Sequence, residues 1–324
     1  MGAERISHLI IAAMLAFAPL SFGGAAVAQP AAPAPAGRSN ATETVGEVVV
    51  TGRRSAAAAK AFSKAVSGFV TAQSQPNPTG LLSRWMSPIC PTVVGLTPGY
   101  ADFVSRRITE VVARVGAPRG RCGRSNVRVV FTAEPQKLMD YVRDKFPDLL
   151  GYHFSPEEKA IATFQEPVDA WHVTGTLDEH GAGFADDPYN QKDPQVALGG
   201  FYNLSGASGS RLKGTASSEF VFALVVIDSS RAATRPIGRI ADQVAMLVLT
   251  NPKRPKACSP LPTLLDSLDP ACPASASLIA FTPYDDAFLK GLYSSNPEEK
   301  AALERGEVAR RIEAAGLAEP GRPQ

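Results

Sequence analysis

The stretch SSEFVFALVVIDSS, residues 217–230, is the strongest strand signal in the chain. It is dense in β-branched and aromatic residues and ends in a Ser-rich turn. RPIGRIADQVAMLVLTN (235–251) follows it, with Ile237, Ile240, Ala241, Val244, Leu247 and Val248 at helical spacing. A strand feeding a helix is thus the seed of the fold. Two further strands are expected at NVRVVFTA (126–133) and VDAWHVTGTL (168–177), and VALGGFYNLSGASGSRLKG (196–214) suggests a loose hairpin.

Helical patterns surround these strands. SAAAAKAFSKAVSGFVTAQ (55–73) places Phe62, Val66, Phe69 and Val70 on one face. TPGYADFVSRRITEVVARVG (97–116) opens with Thr97 and Pro98, stripes Phe103, Ile108, Val111, Val112 and Val115, and closes at Gly116. Helices are also expected from 134 to Phe146, from Ser155–Pro156, from Thr282–Pro283 and from Asn296–Pro297. The segment 82–96 reads as irregular, and 178–195 as a polar, Gly-rich loop. Helices and strands mix without strict alternation, so the fold class is α+β, a mixed sheet packed by helices. One domain over 55–320 accounts for it, because about 280 residues are within the range of a single core.

The first 28 residues have a secretory layout: Arg5, an apolar run from Leu9 to Phe22, and Ala26-Val27-Ala28 before Gln29. The run is shorter than the ~20 residues of a bilayer span. Residues 29–54 form a Pro/Ala-rich linker with a short extended segment, VGEVVVTGRR (45–54). The protein is therefore expected in the periplasm or outside the cell. Four cysteines, Cys90, Cys122, Cys258 and Cys272, include no C-x-x-C pair. In an oxidising compartment they point to disulfides, and the local pairing Cys90–Cys122 with Cys258–Cys272 is the expected one. Each bridge should stabilise by about 3 kcal/mol.

With 33 basic and 31 acidic residues the net charge is +2. No broad basic field exists to attract nucleic acid. Phosphate-loop and dinucleotide motifs are absent, and GASGS (206–210) sits in a Gly-Ser loop and not on a nucleophile elbow. The histidines left after residue 28 are His153, His172 and His180, with no metal-binding spacing, so neither metal nor cofactor is expected. The paired acids Asp186-Asp187 and Asp285-Asp286 point in different directions and make no dyad. Trp171-His172 is the one candidate binding pair. On a strand its members face opposite sides, so one of them meets a core.

VGEVVVTGRR resembles the segment that follows the Pro/Ala-rich start of TonB-dependent receptors; no plug or barrel pattern comes after it. The likeness implies a docking role for residues 46–54. The element order resembles a zincin metalloprotease core, in which an edge strand precedes a helix bearing H-E-x-x-H. Strand 217–230 would be that edge, and ADQVA (241–245) would put Ala241 and Ala245 at the histidine positions and Asp242 at the glutamate. The resemblance implies a degenerate, zinc-free core. The segments VVVTGRR, SPICPTVVGLTPG, CGRSNVRVVFT, AWHVTG, FALVVID, RIADQVAMLVLT and TPYDDAFLKGLY, over about 46–293, resemble a family of secreted alphaproteobacterial proteins of sphingomonad and caulobacter type. That family implies compartment and architecture and brings no activity to any residue. The expected function is an exported, non-catalytic binding module of the cell envelope with a protein or peptide partner. The alternatives are a periplasmic hydrolase using His172 and a partner of the TonB system.

Overall fold

The computed structural model describes residues 56–178, 183–186, 216–252, 258–269 and 271–315. The leader, the linker with 46–54, His180, Asp187 and the hairpin expected at 196–214 lie outside them.

The strongest strand decides the architecture, though in the middle of the sheet and not at its edge. Strand β6 (Ala216–Asp228) pairs antiparallel along one side with β4 (Val168–Asp178). On its other side it pairs in parallel with β3 (Val127–Thr132) and, end to end with that, with β1 (Ser83–Arg84). Outside these lie β2 (Pro91–Val94) against β3 and β5 (Gly183–Ala185) against β4. The order is β2-β3-β6-β4-β5. The edge position expected for 217–230 is therefore corrected. FALVVI is continuous apolar sequence because both faces of a central strand are covered. Two expectations change with it: 82–96 contributes β1 and β2, and the loop expected at 178–195 contributes β5.

One sheet face carries the larger core, built with α1 (Ala56–Gln73), α2 (Pro98–Val115), α6 (Ile237–Leu249), α8 (Pro283–Ser294) and α9 (Ala301–Ala314). The other face packs on α3 (Pro135–Lys145) and the segment 147–164, which includes α4 (Glu158–Ile161). Two one-turn helices, α5 (Ser229–Ala232) and α7 (Pro273–Ala276), complete the set among the described residues.

Local chemistry sets the ends. In α2, Gly116 adopts φ 79° and returns its N–H to Val112, the left-handed stop that glycine allows. Val104, not Phe103, completes the fully buried stripe of that helix, and Phe103 packs at its margin. Helix α8 starts with a capping box between Thr282 and Asp285. Helix α9 starts at Ala301 and not at Pro297. The Asn296 side chain accepts from Glu298 N–H to close a turn, and Ala301 N–H then bonds to Gly80 O. The two disulfides are Cys90–Cys122 and Cys258–Cys272, as expected. No helix among the described residues is long and apolar enough to cross a membrane.

Candidate functional site

Trp171 and His172 sit on β4 and face opposite cores, as strand alternation requires. Trp171 is buried on the α3 side and donates Nε1–H to Ile161 O at 2.9 Å. His172 lies on the other side, its ring 4.7 Å from that of Phe220. Burial pushes its imidazole down to about 4, against the pull of the Leu247 and Val248 carbonyls. Among the described residues no carboxylate bonds to it, and its Nε2 is buried without a hydrogen-bond partner.

The chain crosses β4 closely here. Gly151 has φ 79° and ψ −171°, a region open almost only to glycine. A Cβ at this position would lie 2.2 Å from His172 O. Gly151→Ala is therefore expected to cost about 2–3 kcal/mol from backbone strain and overlap together. Urea unfolding checks this; a loss under about 0.5 kcal/mol, the level of an ordinary surface change, would sink the argument. His153 donates Nδ1–H to Gly151 O at 2.6 Å and serves the same turn. His153 and His172 thus serve different parts of the fold, and no group of three or more ligating side chains occurs among the described residues.

Both members of the Trp-His pair border a cleft of about 850 Å³. Its walls come from the C-terminal end of α1, the turns at 75–78 and 150–152, β4 from Val168 to His172, one stripe of α6, and the disulfide loop from Cys258 to Asp269. The α6 stripe is Gln243 and Leu247, continued one turn on by Asn251. At one end, Asp186 accepts from Thr174 Oγ1 at 2.7 Å, Thr176 Oγ1 at 2.8 Å and Asn77 Nδ2 at 3.3 Å. Asn77 Oδ1 in turn accepts from Thr79 and Leu81 N–H. This buried network fastens the 75–82 turn to β4.

Four carboxylates line the cleft: Glu166, Asp169, Asp266 and Asp269. Asp169 accepts from Gln165 and Glu166 N–H. Asp266 accepts from Ser259 N–H at 2.7 Å, and Asp269 from Ala271 N–H at 2.8 Å. Burial raises the Asp266 pKa, the Ser259 N–H opposes this, and the charges of Asp269 and Asp285 add to it. No lysine or arginine lines the cleft among the described residues.

Three buried polar atoms without partners belong to lining residues: Gln73 Oε1, His172 Nε2 and Gln243 Oε1. Such atoms are costly in a finished core. The amide of Gln243 is oriented by its Nε2–H bond to Leu265 O, which leaves the carbonyl oxygen as the unmet acceptor. Sequence reading missed Gln73 and Gln243. Their signal was a polar residue on the buried face of an otherwise apolar helix.

The segment ADQVA has a structural role. Ala241 and Ala245 are fully buried in the larger core, and Asp242 receives both Nε and Nη2 of Arg107. The second acidic pair is also accounted for. Asp285 accepts from Thr263, Leu264 and Thr282, and Asp286 pairs with Arg114 and Lys290. No family model, curated protein or solved structure matches this chain.

Proposed function

We propose that the protein is an exported, non-catalytic binding module of the cell envelope, in the periplasm or outside the cell, and that the cleft beside β4 is its ligand site. The carrying observation is the cleft itself, where three buried polar atoms await partners while none of its carboxylates bonds to His172. Two disulfides support an oxidising compartment. A hydrolase built on His172 is the second reading, favoured by the four carboxylates that share its cleft. Against it stands an imidazole that is neutral until about pH 4 and so is a weak base.

The test is purification from a periplasmic extract followed by native mass spectrometry. The expected result is a chain beginning at Gln29 with both bridges oxidised, carrying an adduct that denaturation releases. A chain retaining residues 1–28 in the cytosolic fraction would overturn the export reading. Peptidase activity lost in His172→Gln would overturn the non-catalytic one.

A further inference from the structure

The cleft joins two independent features. One is electrostatic: Glu166, Asp169, Asp266 and Asp269 give it four carboxylates, with no cation lining it among the described residues. The charge of Asp269 adds to the burial that disfavours ionised Asp266, and the nearby backbone N–H groups of Ser259 and Ala271 donate to the two carboxylates. The other is the set of unmet acceptors. Gln73 is 3% exposed and Gln243 is 4% exposed, and each keeps a buried carbonyl oxygen without a donor. The acceptors come from α1 and α6, and the carboxylates from the segment 166–169 and the disulfide loop, so a donor that reaches both sets would enter between these elements.

Resting on the reading of the cleft as a ligand site, we propose that it takes a primary ammonium or guanidinium group, held by the Gln73 and Gln243 carbonyls and facing Asp266 and Asp269. Such a group is acceptor-free and rich in N–H donors, and it carries the charge the wall lacks. Leu247 on α6 supplies apolar surface for the carbon stem that ammonium and guanidinium ligands carry. The source is either a free amine or the lysine or arginine side chain of a polypeptide, because both present the same head.

Three five-carbon probes test the charge: diaminopentane, pentanediol and glutarate, titrated into the mature protein by calorimetry. Diaminopentane is expected to bind one per chain, at least about tenfold tighter than the other two, and to weaken as salt is raised. Gln243→Leu removes an unmet acceptor with an apolar side chain of similar size. It also removes the Nε2–H bond to Leu265 O, so the two losses offset and the free protein should change little in stability, while diaminopentane weakens about tenfold. Glu166→Gln, at an exposed position, is the second variant and should weaken it a few-fold.

A capped Ala-Lys-Ala peptide separates the sources. Tighter binding of the peptide assigns a polypeptide side chain, tighter binding of diaminopentane assigns a free amine, and either supports the proposal. Equal binding of all three probes, or preference for glutarate, would overturn the cationic class. If that binding is still lost in Gln243→Leu, the cleft survives as the site. No binding of any probe, together with no adduct in the native mass spectrum, would remove both readings.

Discussion

Glu304→Ala is expected to lower the unfolding free energy by about 3–5 kcal/mol, the cost of stranding a buried charge. Glu304 is 0% exposed in the first turn of α9, and its partner Arg84, on β1, is 4% exposed. Arg84 also donates to the carbonyls of Leu292 and Ser295 at the end of α8, and Ser295 Oγ donates to Glu304. One guanidinium therefore ties the sheet to two helices. Burial already lowers its pKa to about 10, with Tyr293 and Glu307 opposing, so the cation is held in an unfavourable place by its partners. Removing the carboxylate takes away the main one. The second Glu304 oxygen is buried without a partner, so the pair is only half satisfied. The double variant Arg84→Met with Glu304→Leu should then recover most of the loss. The exposed pair Lys137–Glu134 supplies the control, and its removal should cost under about 1 kcal/mol. Urea unfolding of the four proteins decides the matter. A Glu304→Ala loss no larger than that of the control would mean that the buried network contributes little.

Neither Arg84 nor Glu304 could be paired from sequence, because 220 positions separate them. What the sequence does carry is burial written as period. The stripes of α1, α2 and α6, and strands β3, β4 and β6, are legible because one face, or both, is apolar at fixed spacing. The disulfide pairing is legible because each bridge closes a short loop in a chain without other cysteines. The central position of β6 was also readable, since FALVVI lacks the alternation of a half-exposed strand; the analogy to an edge strand overrode that signal. Strands β1, β2 and β5 have two, four and three residues, too few to form a period. The Asn296–Pro297 start signal was spent on a turn, because Asn can close a turn as readily as a helix. The cleft is harder still. Its walls come from segments spread between Ala72 and Asp269, and its informative residues are glutamines, which carry no motif.

Acidification from pH 7 to pH 4 is expected to remove about 3 kcal/mol of stability through His172 alone. The unfolded imidazole takes up a proton near pH 6.5, while the folded one resists until about 4. Between these values the unfolded chain holds more protons, so stability falls as pH falls and is fully present above 6.5. Glu219, Asp266 and Asp285 oppose this, because burial raises their pKa values in the fold. Their contribution is present at low pH and is lost as pH rises through the folded values. The wild-type profile is thus a sum of opposed slopes, and only a difference isolates the histidine. His172→Gln, which does not titrate, should be flatter than the wild type between pH 6.5 and 4 by about that amount. Parallel urea profiles for the two proteins would show that the ring protonates as readily in the fold as outside it. The same sign bears on the cleft. With His172 neutral throughout pH 5–8, any change in amine binding across that range must come from groups other than this imidazole, and the Asp266 carboxyl, already raised by burial, is the first to examine. A binding profile unchanged by His172→Gln but shifted by Asp266→Asn would assign the pH response to the carboxylates that recognise the ligand.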